Sequence, residues 1–135
     1  MLIFREPTDS DYALVVDSFW RSASSVPSCH GLGRLILVGM LEKVIANPAW
    51  NVTIMADDGA PDEILCWAVY RKPTELFWLS VKPRYSRLGF ARSMLEYIGV
   101  RPGLDLYCPI LPPYLLAVAG KHGLKLHHRP YLALT

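Results

Sequence analysis

Cysteine is scarce in this chain, and the three present, Cys29, Cys66 and Cys108, are an odd number with no Cys-x-x-Cys pair. That excludes a disulfide framework and a zinc knuckle, so reduced thiols in a cytoplasmic setting are the expectation. The opening residues "MLIFREPTDSD" lack a basic stretch followed by an apolar run, so no signal peptide is read. Long hydrophobic runs are missing too: the most apolar late stretch, "LPPYLLAVAG", is ten residues with two prolines, too short to span a bilayer. Neither sign of charge dominates. The net charge of +2 is too mild to argue for nucleic acid. Gly31-Leu32-Gly33 follows no strand and leads to no Gly-Lys-Ser/Thr, and no Gly-x-Ser-x-Gly elbow exists, which removes a P-loop and a hydrolase nucleophile. The four histidines, His30, His122, His127 and His128, have no carboxylate or cysteine at ligand spacing, so no metal is expected. No internal repeat or linker breaks the chain.

What is present is one domain's worth of apolar sequence: 135 residues, 52% hydrophobic and 19% charged. "LIFRE" reads as a strand and "TDSDYALVVDSFWRS" as a helix, with Thr8 or Asp9 as N-cap and Tyr12, Val15, Val16 and Phe19 on one face. After a Ser/Pro/Gly loop, residues 34–46 read as a second helix buried through Leu37, Met40, Leu41, Val44 and Ile45. The period then changes. "WNVTIMA", "ILCWAVYRK" and "ELFWLSVK" alternate and are joined by short turns, an antiparallel meander. Strict alternation in the third places Phe77, Leu79 and Val81 on one face and Leu76 and Trp78 on the other, a central strand covered on both sides. A third helix over 88–98, a strand "LDLYC", a helix beginning at Pro112 or Pro113, and closing strands "LKLHH" and "YLALT" complete a mixed α/β order.

The charge that the composition hides is concentrated in "VKPRYSRLGFARSMLEYI", where Lys82, Arg84, Arg87 and Arg92 fall in eleven residues without an acid. A strand feeding directly into a helix leaves the first helical N–H groups unpaired, and with the helix dipole they form an anion site. Gly89 lets a ligand approach the backbone closely. A pyrophosphate suits that combination better than a solvated basic face does.

These residues resemble the acetyl-CoA-binding signature of the GCN5-related N-acetyltransferases (GNAT): a strand, Gln/Arg-x-x-Gly-x-Gly/Ala, then a helix. The aligned hexad is Ser86-Arg87-Leu88-Gly89-Phe90-Ala91. Gly89 and Ala91 match, and Ser86 stands where the family has Gln or Arg. The order of elements agrees along nearly the whole chain. The resemblance implies a GNAT-like, mostly antiparallel sheet flanked by helices with a splayed central strand pair. It implies that loop and helix-start amides hold the CoA pyrophosphate, with Arg84, Ser86, Arg87, Leu88, Gly89, Phe90, Ala91 and Arg92 in that segment. It also implies that the backbone of Leu79, Ser80, Val81 and Lys82 pairs with the pantetheine arm, with an N–H near Val81 on the thioester oxygen.

For the protons, Glu75 is the candidate general base. It lies six residues before Val81, so an unbroken strand points both to one face. The family's late-helix pattern Tyr-x-x-x-Gly-Phe falls on "AGKHGL", which puts Ala119 at the tyrosine. Tyr114 and Tyr107 are the candidate replacements for the acid. Cys108 reads as a buried, inert thiol. The function expected is transfer of an acetyl group from acetyl-CoA to a primary amine by direct attack. The amine is unidentified, small molecule or protein, and is received by the loop between the first two helices and the end of the chain. A homodimer is possible on this reading, and no nucleic acid or membrane partner is expected. The alternative is a GNAT-like fold without catalysis, a binding or structural module, which Ser86 and Ala119 favour.

Overall fold

A computed structural model describes residues 1–29, 31–71, 74–86, 88–111 and 113–132, without the side chains of Ser28, Pro113 and Tyr114. Arg87, the Lys72-Pro73 part of the expected hairpin turn, and the last three residues of the expected closing strand lie outside the described residues.

Strands β1 (Leu2–Arg5), β2 (Asn51–Asp57), β3 (Cys66–Arg71), β4 (Glu75–Val81), β5 (Asp105–Cys108) and β6 (Lys125–His128) form one sheet in sequential order. The first three pairings are antiparallel and the last two parallel. The parallel pairs need crossovers, which α3 (Phe90–Tyr97) and α4 (Pro113–His122) supply. Helices α1 (Asp9–Ala23) and α2 (Arg34–Ala46) precede the meander.

The helices divide between the two faces of the sheet. Val15, Phe19 and Ala23 of α1 and Leu37, Leu41 and Val44 of α2 pack on Ile54, Trp67, Val69, Phe77 and Trp78. On the other face Met94, Leu95, Leu115 and Ala119 pack on Met55, Cys66, Ala68, Leu76, Leu79, Leu106 and Cys108. Tyr12, Val16, Met40 and Ile45, expected in the buried stripes, are only partly buried at the rim.

Helix α1 starts where the sequence indicates. Thr8 is the N-cap, and the Asp11 carboxylate accepts its backbone N–H at 2.7 Å and its hydroxyl at 3.0 Å. Arg5 at the end of β1 reaches the same carboxylate at 2.5 and 3.2 Å. This tethers the helix start to the first strand, and the Arg5 hydrogen bond holds the Asp11 carboxyl down at about 2.

The face assignment of β4 differs from strict alternation. Val69 pairs with Trp78 but Tyr70 pairs with Leu76, so Phe77 is an extra residue, a β-bulge. Phe77 and Trp78 therefore both enter the α1/α2 core, while Leu76 and Leu79 both enter the α3/α4 core. The driving force is aromatic packing: Phe19 meets Phe77 at 5.6 Å and the edge of Trp78 at 5.1 Å. The end of the chain also differs. Arg129–Leu132 forms a turn rather than a strand, and the Leu132 N–H returns to the Arg129 carbonyl at 3.0 Å.

Candidate functional site

The site begins at the strand pair that does not stay together. β4 and β5 share one ladder position, Glu75 opposite Tyr107, reinforced by the Tyr107 N–H on the Thr74 carbonyl at 2.8 Å. Beyond it, β5 ends at Cys108 and the chain turns through Pro109 and Ile110, while β4 runs on to Val81. Among the described residues the β5-facing edge of β4 has no further ladder partner. The sheet thus opens into a wedge.

A cleft of about 1120 Å³ lies at this opening. Ser80 and Val81 of β4 and Tyr85, Ser86, Gly89, Phe90, Ala91 and Arg92 of the following turn and helix line it. Ser22 in the last turn of α1, Ser25 and Val26 after it, and Ala117, Val118, Lys121 and His122 of α4 line it as well. Of the residues selected from sequence, Ser80, Val81, Ser86, Gly89, Phe90, Ala91 and Arg92 are gathered there. Leu79 turns its side chain into the core, and Leu88 is exposed beside the helix start.

The junction between β4 and α3 is a single turn of 3-10 helix, Pro83–Tyr85, followed by Gly89 as the N-cap of α3 with φ 80° and ψ 12°. Those dihedrals are left-handed, which suits glycine, and among the described residues beyond its chain neighbours no atom lies within 4 Å of where a Cβ would stand. The first helical bond from this cap is the Ser93 N–H to the Gly89 carbonyl at 3.0 Å. The Phe90, Ala91 and Arg92 amides, the donors of a helix start, have no hydrogen-bond partner among the described residues, and these three residues line the cleft.

The cations before α3 have partners that their order along the chain does not reveal. Arg84 does not line the cleft: its guanidinium meets Glu63 at 2.7 Å and stacks over the Tyr85 ring at 4.9 Å. Glu63 also accepts the Tyr85 hydroxyl at 2.5 Å and stands 4.0 Å from Lys82. That hydroxyl, ahead of the two cations, draws the Glu63 carboxyl below its ordinary value. An acid from the β2–β3 turn thus neutralises part of a run that is acid-free only along the sequence. Arg92 stays at the cleft, paired loosely with Glu96 one turn on.

Glu75 is also placed differently. The bulge lies between it and Val81, so Glu75 shares a face with Phe77 and Trp78, and Val81 lies on the opposite one. Its carboxylate forms a bidentate pair with Arg71 at 2.9 and 2.7 Å, and Arg71 lies over Trp50 at 4.5 Å. A second cavity of about 650 Å³ borders it, lined by Thr74, Glu75, Tyr107, His128, Arg129, Pro130, Tyr131 and Leu132. Tyr107 stacks on His127 at 4.9 Å, and the Arg129 guanidinium lies over the Tyr107 ring at 5.5 Å. Tyr114 stands in the first turn of α4, its side chain outside the described residues.

Cys108 lies in the α3/α4 core, where burial pushes its thiol up to about 12. His127 binds Asp105 and His128 binds the Pro109 carbonyl, so each histidine has its own partner. Among the described residues no three His, Cys, Asp or Glu side chains are grouped to hold a metal ion. Among them, too, no helix is long and apolar enough to cross a membrane. The sequence reading missed the part of the wall given by α4 and by the end of α1. Ala117 and Val118 carry no motif, and Lys121 and His122 fall at the unspecified positions of the late-helix pattern, so only their placement about one turn apart on a helix facing α3 could have indicated them.

No protein-family model and no curated protein matches the chain. Solved structures do. A possible acetyltransferase from Clostridium difficile 630 superposes with a TM-score of 0.58 at 10% identity, over 96% of this chain and 80% of that one. AAC(6')-Iy, in complex with a CoA-containing bisubstrate analogue, superposes with a TM-score of 0.56 at 13% identity, over 96% and 94%. The ribosomal-protein-S18-alanine N-acetyltransferase of Escherichia coli gives 0.50 at 16% identity, over 73% of this chain and 57% of that one. This chain likewise spans 64% of the length of a putative GNAT acetyltransferase from Desulfovibrio desulfuricans. The meander, the two parallel crossovers and the opening between β4 and β5 make this chain a bearer of the GCN5-related N-acetyltransferase fold.

Proposed function

We propose that this chain is an N-acetyltransferase that takes acetyl-CoA into the cleft and passes the acetyl group to a primary amine by direct attack. The observation that carries the reading is the continuity of one cleft from the unpaired edge of β4 at Ser80 and Val81 to the free amides after Gly89. An extended arm with two amide groups can pair with the strand edge while its diphosphate meets the helix start, and one ligand class has both features. The pyrophosphate would sit on the Phe90, Ala91 and Arg92 amides, with Ser86, Leu88 and Arg87 around it. The backbone of Leu79, Ser80 and Val81 would hold the pantetheine, and an N–H near Val81 would stabilise the oxyanion of the tetrahedral intermediate.

The amine nitrogen attacks the thioester carbon, a C–N bond forms, the C–S bond breaks, and CoA leaves as thiolate. The amine must first be neutral. Glu75 acts as the base from the smaller cavity on the α1/α2 face, through water, once an acceptor draws it from Arg71. Tyr114 or Tyr107 returns a proton to the sulfur.

Titration calorimetry with acetyl-CoA and release of free thiol with a panel of amines test the reading. Micromolar binding with amine-dependent thiol release is expected, and Gly89→Glu should abolish binding by bulk and like charge. No binding by the wild type overturns it. The second reading, a GNAT fold without catalysis, has one observation in its favour: Ala119, at the family's tyrosine position, is buried in the α3/α4 core. Binding without turnover across the panel would establish that reading.

A further inference from the structure

The wall of the large cleft contains a polar group that the fold leaves unpaired. His122, in the last turn of α4, is 7% exposed, and its Nε2 has no hydrogen-bond partner among the described residues. Buried polar nitrogen without a partner is uncommon and costly, and such a group in a native structure calls for an explanation. His127 and His128 are each paired, and Trp50 Nε1, also buried without a partner among the described residues, belongs to the aromatic core and does not line the cleft. Nor does the helix end need it. Gly123, at φ 72°, closes α4 with backbone bonds, its own N–H to the Gly120 carbonyl and the Leu124 N–H to the Ala119 carbonyl.

The cleft lining sorts by depth. Arg92 and Lys121 are exposed cations at its rim, and Gly89 and Leu88 are exposed beside the helix start. Ser80 and His122 are the buried polar residues of the lining, and the Ser80 hydroxyl already has Ser18 at 3.3 Å. A rim of cations suits phosphates. A floor with one unpaired imidazole nitrogen suits an uncharged amide or carbonyl, since Nε2 can donate to a carbonyl oxygen or, in the other tautomer, accept from an amide N–H. A nucleotide thioester has both halves in that order.

We propose that His122 is a binding residue for the uncharged pantetheine arm of the coenzyme, its Nε2 hydrogen-bonding an amide or carbonyl of that arm. The inference rests on the acetyl-CoA reading above and adds to it a residue from α4. Ala119, one turn earlier, supplies no polar atom, so the helix's polar contribution to the floor comes from His122 instead.

The test compares wild type, His122→Leu and His122→Gln by calorimetry with three probes: acetyl-CoA, S-acetylpantetheine and adenosine 3',5'-bisphosphate. Urea midpoints are measured in parallel. His122→Leu should weaken acetyl-CoA and S-acetylpantetheine by about tenfold, the loss of one buried hydrogen bond, and leave the bisphosphate unchanged. Its urea midpoint should hold or rise, because an unpaired buried nitrogen has been removed. His122→Gln, which keeps a polar end, should recover most of the affinity. The inference is overturned if His122→Leu binds acetyl-CoA like wild type, if it weakens the bisphosphate equally, or if weaker binding tracks a lower urea midpoint. A wild type that binds none of the three probes overturns the acetyl-CoA reading itself, which separates the two failures.

Discussion

The two faces of the sheet are built differently. Under α1 and α2 the core is aromatic: Phe19 meets Trp78 and Trp50 meets Phe77 edge to face, with Trp67 buried in the same cluster. Under α3 and α4 it is largely aliphatic and thiol, with Met55, Cys66, Leu76, Leu79, Met94, Leu95 and Cys108. Most of the residues lining the large cleft come from the β4–α3 junction and α4, on the aliphatic side. Large flat rings fill volume with few rotatable bonds, so the aromatic side is suited to fixing the bulge in β4. The aliphatic side closes around helices that leave a gap. The difference teaches a division of work: one face holds the shape of β4, and the other uses that shape.

The division can be broken or sharpened by substitution. Trp78→Ala should have the largest effect, about 3 to 5 kcal/mol of stability lost in urea denaturation, because the side chain is fully buried against Phe19. Glu75→Gln is the test that crosses the division, since Glu75 lies on the aromatic side. It should leave acetyl-CoA affinity alone and lower amine-dependent turnover about a hundredfold, and unchanged turnover would remove Glu75 as the base. Asp11→Asn should cost about 2 kcal/mol by leaving Arg5 and the Thr8 amide short of their acceptor. The sign with pH follows from the depressed carboxyl. Its stabilisation is full above the ordinary value of 3.8 and fades as pH falls toward about 2, so wild type and variant should converge in that window. Gly89→Ala should cost about 1 to 2 kcal/mol from left-handed strain alone, with space for the methyl, read as a lowered urea midpoint. Arg84→Ala should be the smallest. Its pair with Glu63 is exposed, so about 0.5 kcal/mol or less is expected, with acetyl-CoA affinity unchanged because the residue is not at the cleft.

The parts of the fold that obey a local period were legible in the chain. The α1 N-cap at Thr8, α2 over Arg34–Ala46, the meander and the helix and strand that follow it as α3 and β5 come from side-chain periodicity, caps and turn residues. Gly89 stood out in the sequence as a point of close ligand approach, and its left-handed cap at the start of α3 became visible only in the fold. What escaped is set by distant contacts. Phe77 joins Trp78 on one face because Phe19, nearly sixty residues earlier, packs against both, and no pattern within β4 announces that. Glu63 neutralises Arg84 across the hairpin from twenty-one residues away. His122 could be noticed as a histidine but not as one without a partner, because that depends on every side chain around it.

The single rung between Glu75 and Tyr107 has a consequence for how the molecule behaves in a crowd. A row of strand donors and acceptors that its own sheet does not use is a template for any extended peptide, another copy's included. The coenzyme that fits this seam would then act as a solubility factor as well as a reactant, and concentrated protein kept without it should self-associate through β4.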